Sequence, residues 1–302
     1  MKMLDIKERL NKLRKNRFVK NVFSISSGII VSKIITTLLM PAVGRIYDET
    51  SIGDFSIIIS DASIISKVLC LGMMTAIMLP KDDEEAKNIS STIMLSVVVI
   101  GTLLFGILLG LAQQWRLFNT STDYYVMCTV LYTYTLLFNM YSICYSYTNR
   151  AESYKPLFWN PIIGCGVNYI VTIGLGLYGM GTLGYALGNI FSLVAQILHL
   201  IVKRNPFHPL GKARQIVKQT LVANRPFTKY QMPANVIGTV AAQTPVQMIS
   251  QLYGSIVLGS YSMCMQLLNL PVTFLASPVN RVYFKEAAKL KQEGKDLGRF
   301  TF

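Results

Sequence analysis

Eight runs of about twenty apolar residues, separated by short charged stretches, recur along this chain, and they limit its fold more than any other feature. A helix needs roughly 20 residues to cross about 30 Å of hydrocarbon. In that medium only a helix or a closed barrel satisfies its own backbone hydrogen bonds. The runs are Val22 to Met40, Phe55 to Leu79, Ser90 to Leu111, Tyr125 to Tyr145, Leu157 to Leu177, Thr182 to Val202, Met232 to Leu252 and Ile256 to Ala276. With 52% hydrophobic residues and a mean hydropathy of +0.42, the chain holds more apolar surface than one soluble core can hide. The pattern predicts an all-α polytopic membrane protein with about eight transmembrane helices.

Charge placement gives that array a direction. Eight spans return both ends to one side, and the Lys and Arg residues gather there: eight in the first twenty residues, then two, two and seven in the loops after spans two, four and six, and six in the tail. Only Arg45 and Arg116 fall on the opposite loops, while Lys33 and Lys67 lie inside spans. By the positive-inside rule the basic face and the N-terminus are cytoplasmic. The net charge of +14 is thereby read as topology, with no nucleic-acid partner. No cleavage site follows the first apolar run, so it is read as a retained span. Residues 203–230 are too polar to span, and Leu210, Val217 and Leu221 among Lys212, Arg214 and Lys218 predict an amphipathic helix along anionic lipid headgroups, the alternative being a solvated basic connector. The run Asp82 to Glu85 reads as a solvated turn. Cys70, Cys128, Cys144, Cys165 and Cys264 all fall in apolar stretches without metal-site spacing, which predicts neither disulfide nor metal, and no cofactor.

An internal repeat adds organisation. The segment IYDETSIGDFS between spans one and two matches LYGSIVLGSYS between spans seven and eight, so that Tyr47, Gly53, Phe55 and Ser56 correspond to Tyr253, Gly259, Tyr261 and Ser262 at a constant offset of 206. Copies six spans apart keep one orientation, which predicts two six-helix lobes related by an axis along the membrane normal. The expected divisions are a basic cytoplasmic N-terminus (1–20), a first six-helix lobe (21–202), an amphipathic connector (203–230), and the first two helices of a second lobe with a cytoplasmic tail (231–302). At that offset a complete second lobe needs about four more spans, so the sequence is read as C-terminally truncated, the alternative being that the repeat is accidental and eight spans are the whole design.

The residues GRIYDETSIGDFSIIIS followed by AIMLP, then NRAESYKPLFWNPII, then KYQMPANVI with QLYGSIVLGSYSMCMQLLNLPV, resemble the polysaccharide biosynthesis family of oligosaccharide flippases, relatives of the multidrug and toxic compound extrusion transporters. The resemblance runs from about Phe18 to Lys291. It implies a V-shaped, two-lobed carrier in the bacterial inner membrane. Such a carrier moves an undecaprenyl-diphosphate-linked oligosaccharide from the cytoplasmic to the periplasmic leaflet for surface polysaccharide synthesis, O-antigen of lipopolysaccharide included. Its implied partners are that lipid-linked oligosaccharide, membrane lipids and polysaccharide assembly proteins.

Charges inside spans are the first candidates for a site, because each costs about 2.5 to 3.5 kcal/mol or more at mid-membrane. Lys33 and Asp61 fall at matching depth on successive antiparallel spans, where they can pair as a structural bridge or separate during transport. Lys67, about 18 Å into span two with no acid at matching depth, is the candidate to compensate a diphosphate, the alternative being a structural partner on further spans. Arg45 and Arg116 stand at the outer interface, as headgroup anchors or as an exit contact. Amides and tyrosines suit hydroxyl-rich ligands and equally suit helix-to-helix bonding: Asn139 and Tyr141, Asn168, Gln243 and Gln247 one turn apart, Gln266 and Asn269. Pro233, Pro245 and Pro271 are expected to kink their helices. An enzyme would need an acid and base pair or a sizeable outer domain, and the short outer loops offer neither. The rival reading is a cation-coupled small-molecule or drug antiporter of the same fold, for which Asp61 is the available acid, or an inactive fragment. In intact cells an impermeant thiol reagent should label cysteines placed near Asp48 and Tyr178 and spare those near Asp83, Glu152 and Lys218; labelling at Lys218 reverses the orientation.

Overall fold

The computed structural model describes residues 17–80, 82–110, 123–151, 153–208 and 210–292, with side chains described for 27–80, 82–110, 123–151, 153–208 and 216–269. Arg116, most of the basic N-terminus and the end of the tail lie outside these, and Lys212, Arg214 and Pro271 are described in backbone alone. The described chain is helical: α1 Arg17–Ile46, α2 Glu49–Leu69, α3 Asp83–Gly110, α4 Tyr124–Arg150, α5 Tyr154–Leu177, α6 Gly181–Lys203, α7 Leu210–Ala223 and α8 Met232–Gln292. Five helices are long and apolar enough to cross a membrane by length and composition: Ser27–Ile46 of α1, α3, α4, α5 and α6. With 21 residues α2 is also long enough, about 31 Å, but its interior holds Asp54, Asp61 and Lys67. It tolerates the two acids because it is sheathed by α4, α6 and α8, while Lys67 is exposed in its last turn.

Local chemistry fixes the ends of α2, and they differ from the apolar run that predicts them. Asp48 takes extended backbone, and its carboxylate accepts from Ser51 N–H at 3.2 Å, a cap that starts the helix six residues before Phe55. At the other end Leu71 (φ 51°) and Gly72 (φ 68°) turn the chain through the left-handed region, and Thr75–Met78 forms a separate 3₁₀ turn. The single run to Leu79 therefore divides at Leu69.

The other helices pack through small residues, as helices in lipid do. On α6 the buried positions Gly184, Gly188 and Ser192 repeat every fourth residue. A Cβ at Gly188 would sit 1.9 Å from Thr172 Oγ1, and Ser192 donates to the Gly164 carbonyl at 2.8 Å, so α5 and α6 pack closely. Helix α5 also holds α1: Tyr169 donates to the Thr36 carbonyl at 3.2 Å, and Tyr47 donates to the Thr172 carbonyl at 2.7 Å.

Ion pairs tie one end of the bundle, which we call the basic end. Asp83, in the first turn of α3, binds Arg150 at the end of α4 and Arg204 just after α6, the latter at 3.2 Å. The acidic run is thus a helix start that links three elements, where the sequence predicts a solvated turn. Helix α7 forms as expected and rests on α3, with Leu221 packed on the buried cluster around Ile89 and Ile93.

Helix α8 is broken at Gly254 (φ 79°, ψ 179°), a conformation that strains any residue with a Cβ. Helical dihedrals continue through Pro233 and Pro245. Pro233 lies in the first turn, where its missing N–H is not needed. Gln247 before the break bonds Ser60, and Gln266 after it lines a cavity with Ile59. On a straight helix those two glutamines stand roughly 28 Å apart, so the chain folds back at Gly254. We call the arms α8a, up to Tyr253, and α8b, from Ser255.

The sequence repeat reappears here as a reciprocal contact. A Cβ on Gly53 would sit 1.9 Å from the Ser255 carbonyl oxygen, and a Cβ on Gly259 would sit 1.9 Å from that of Glu49. Gly53 and Gly259 correspond in the repeat, as do Glu49 and Ser255. Residue i touching j′ while j touches i′ is the signature of a two-fold axis.

Candidate functional site

A cavity of about 200 Å³ lies beside that axis, one turn inward from the glycine crossing. Five elements line it. Its polar side chains are Ser56 of α2, Asn168 and Tyr169 of α5, Tyr185 of α6, and Ser262 and Gln266 of α8b. The remaining lining residues, Met40 and Ile59 among them, are apolar, and none is charged. Ser56 and Ser262 are repeat equivalents, so the axis brings the two hydroxyls to one cavity.

The wall is stiff because aromatic rings brace it. Tyr185 meets Phe55 and Tyr47 edge to face at 5.4 Å, and Phe55 meets Tyr134 at 5.5 Å. Pairs of this kind contribute about 0.5 to 1.5 kcal/mol each beyond their burial. Hydroxyls and amides on a rigid, partly apolar surface can donate to and accept from a ligand rich in hydroxyls while its ring faces lie on Met40 and Ile59. Among the described residues no group of three or more His, Cys, Asp or Glu is placed to hold a metal.

The predicted site residues divide between this cavity and other places. Asn168 and Gln266 line it. Asp61 and Lys33 keep their matching depth, each about 18 to 20 Å from the α1–α2 corner, yet no ion pair joins them among the described residues. The physical reason is packing: α1 leans on α5, whereas α2 leans on α8, so consecutive helices are not neighbours along their lengths. Asp61 instead accepts from Gln247 Nε2 of α8a at 2.7 Å, and the same nitrogen donates to Ser60 at 3.1 Å. Gln243, one turn earlier, is partly buried.

Lys67 requires a correction of depth. It occupies the last turn of α2 and is exposed near the basic end, because the helix stops at Leu69 and not at Leu79. Arg45, in the last turn of α1, is exposed at the opposite end. Asn139 is buried away from the cavity. Its Oδ1 accepts from the Cys70 thiol at 2.8 Å, and its Nδ2 donates to Ser66 at 3.0 Å and to the Thr135 carbonyl at 2.7 Å.

Three features were beyond the sequence reading. Tyr185 and Tyr169 carried no signal apart from their apolar runs. Ser56 and Ser262 were visible as repeat partners, and that correspondence alone marked them. Asp54, in the segment between the first two apolar runs, is fully buried and accepts from Ser255 at 2.6 Å.

A family model described as "Polysaccharide biosynthesis protein" matches residues 43–302. Among curated proteins none matches the chain. Solved structures share the fold. An outward-facing multidrug resistance transporter of the MATE family and MOP superfamily superposes with a TM-score of 0.54 at 15% identity, covering 89% of this chain and 68% of that one. A MOP superfamily transporter from Pyrococcus furiosus, whose description speaks of a binding pocket of reverse polarity, gives 0.53 at 17% identity, covering 90% and 70%.

The bonding of Asn139 generates a test. Asn139→Ala leaves the buried Ser66 hydroxyl and Cys70 thiol without this partner, which should destabilise the fold by about 1 to 3 kcal/mol. Thermal unfolding in detergent should show a lowered midpoint with transport per folded molecule retained. An unchanged midpoint with lost transport would instead put Asn139 in a ligand path.

Proposed function

Because the chain belongs to the polysaccharide biosynthesis protein family, we propose that it is a flippase that carries an undecaprenyl-diphosphate-linked oligosaccharide from the cytoplasmic to the periplasmic leaflet of the bacterial inner membrane. The observation that carries this reading is the uncharged cavity between the elements of the two repeat copies, walled by hydroxyls, amides and tyrosines. Such a lining exchanges hydrogen bonds with sugar hydroxyls and holds no counter-charge for a charged drug. In this reading residues 21–202 form one lobe and residues from 231 onward begin the other. The basic end, with Lys87, Arg150, Lys155, Lys203 and Arg204, faces the cytoplasm by the positive-inside rule.

The diphosphate needs positive charge along its way, since an anion in a low-dielectric passage is strongly disfavoured. Three cations stand at three depths: Lys67 near the basic end, Lys33 at mid-helix and Arg45 at the corner end. We assign them successive contacts with the diphosphate, while Asn168, Gln266 and the two serines hold the sugar. Gln243 and Gln247 on α8a face the same passage. The carrier forms no covalent bond with its cargo, and it is not an enzyme in this reading.

A cation-coupled antiporter is the second reading, and Asp61 is the observation behind it: a carboxylate inside the bundle that binds an amide and, among the described residues, no cation. The two readings separate in one experiment. In cells lacking their own copy, surface glycan is measured together with protein level and with efflux of a cationic dye. The double variant Asn168→Leu with Gln266→Leu should lower surface glycan by about tenfold at equal protein level, two hydrogen bonds contributing about 1.4 kcal/mol between them. Lys67→Ala should abolish it, and Lys67→Arg should keep part, because the charge persists on a planar fork in place of a compact ammonium. Normal glycan from the double variant and from Lys67→Ala, with dye efflux abolished by Asp61→Asn, favours the antiporter.

A further inference from the structure

We propose that the sugar this cavity reads is an uncharged ring, that acidic sugars are rejected, and that the Tyr185 hydroxyl is the contact that reads it. The proposal rests on the reading of the cavity as the sugar site and names the class of sugar that fits.

The protons of the wall are unevenly spent. Ser56 donates its proton to the Ile52 carbonyl at 2.8 Å, and Tyr169 donates its own to the Thr36 carbonyl at 3.2 Å. Both oxygens therefore meet the cavity as acceptors. Asn168, Tyr185, Ser262 and Gln266 take no side-chain hydrogen bond among the described residues, so they can donate as well as accept. A sugar hydroxyl also does both, and can satisfy every group of this wall. A carboxylate only accepts, so against Ser56 and Tyr169 it sets lone pair to lone pair.

Charge points the same way. No lining side chain carries a counter-charge for a carboxylate. On α1, Lys33 lies about 10 Å along the helix from Met40, and Arg45, two residues past Val43, falls on the far side of the helix and is exposed. On α2 the next charged residue past Ile59 is Asp61, which offers an anion no attraction. A carboxylate brought into such a place without a partner costs far more than a neutral hydroxyl that misses one hydrogen bond.

Tyr185 is set in place before any ligand arrives. Its ring meets Phe55 and Tyr47 edge to face at 5.4 Å, and Tyr47 is itself tied by its hydroxyl to the Thr172 carbonyl at 2.7 Å. A group held in this way loses little conformational freedom on binding, whereas the longer Gln266 chain must be ordered.

The test reads binding by protection and needs no transport. In the full chain with Cys165 and Cys264 changed to serine, Ile59→Cys puts a thiol in the cavity wall, where Ile59 is 38% exposed, and Tyr178→Cys puts one on the exposed corner. Purified protein in detergent is labelled with a maleimide in the presence of methyl glucoside or methyl glucosiduronate, which differ by a hydroxymethyl against a carboxylate, at matched ionic strength. Methyl glucoside should slow the labelling of Ile59→Cys and leave that of Tyr178→Cys unchanged. Methyl glucosiduronate should need a concentration at least about tenfold higher for the same protection. Adding Tyr185→Phe, which removes one oxygen, should raise the methyl glucoside requirement about fivefold with the thermal midpoint unchanged. Adding Gln266→Lys should bring methyl glucosiduronate level with methyl glucoside. Equal protection of Ile59→Cys by the two probes, or none by either, refutes the sugar class, and an unchanged requirement in Tyr185→Phe refutes the role of that hydroxyl. Should Gln266→Lys fail to accumulate, the two probes on Ile59→Cys decide alone. Protection by methyl glucoside in a chain that moves no lipid-linked glycan keeps the sugar class and removes the flippase assignment, so the two failures are distinguishable.

Discussion

Contact between backbones without side chains is the constraint on which this structure depends. In lipid there is little hydrophobic force to press helices together, so close approach and directed hydrogen bonds must do it. Gly53 and Gly259 bring α2 and α8b to backbone contact, and Gly184 and Gly188 leave room for side chains of neighbouring elements against α6 while Ser192 bonds the Gly164 carbonyl of α5. Because α2 is enclosed by such contacts, it can hold Asp54, Asp61, Ser60 and Ser66 in its interior and aim each at a partner on another helix. Polar groups of this kind destabilise a helix facing lipid and position one that does not.

The same enclosure explains how the site arises. A two-fold relation turns one hydroxyl into two facing hydroxyls, and one close crossing into a reciprocal pair of contacts. The cavity therefore sits beside the axis as a consequence of the repeat. Asn168 comes from α5, an element outside the crossing, and makes the wall asymmetric, which suits a ligand with no symmetry of its own. Charge is kept out of the cavity walls and placed on helix ends and mid-helix positions around it.

Much of the fold was legible in the sequence, for reasons particular residues make plain. Runs of twenty apolar residues separated by the Lys and Arg blocks give the all-helical, membrane-spanning character of the chain, because hydrocarbon thickness allows few alternatives. The repeat was legible at Gly53 and Gly259, whose contact is the strongest single agreement between sequence and structure. What failed was neighbourhood. Lys33 and Asp61 match in depth, yet depth says nothing about which helices touch, and small-residue faces on α5 and α8 decided that. Lys67 was placed too deep because hydropathy does not register the left-handed turn at Leu71 and Gly72. Asn139 shows the limit of residue type alone: the same amide that can bind a sugar here joins Ser66 and Cys70 on α2 and the turn after it.

Carriage of a lipid-linked glycan through this cavity is the central claim, and reconstitution tests it most directly. Purified full-length protein is placed in vesicles with undecaprenyl-diphosphate oligosaccharide in both leaflets, and the fraction of glycan open to an added impermeant glycosidase is followed in time. The account predicts that the protected half becomes accessible within minutes when the protein is present, and that Asn168→Leu with Gln266→Leu slows this about tenfold. Digestion that stops at half, as in vesicles without protein, contradicts it.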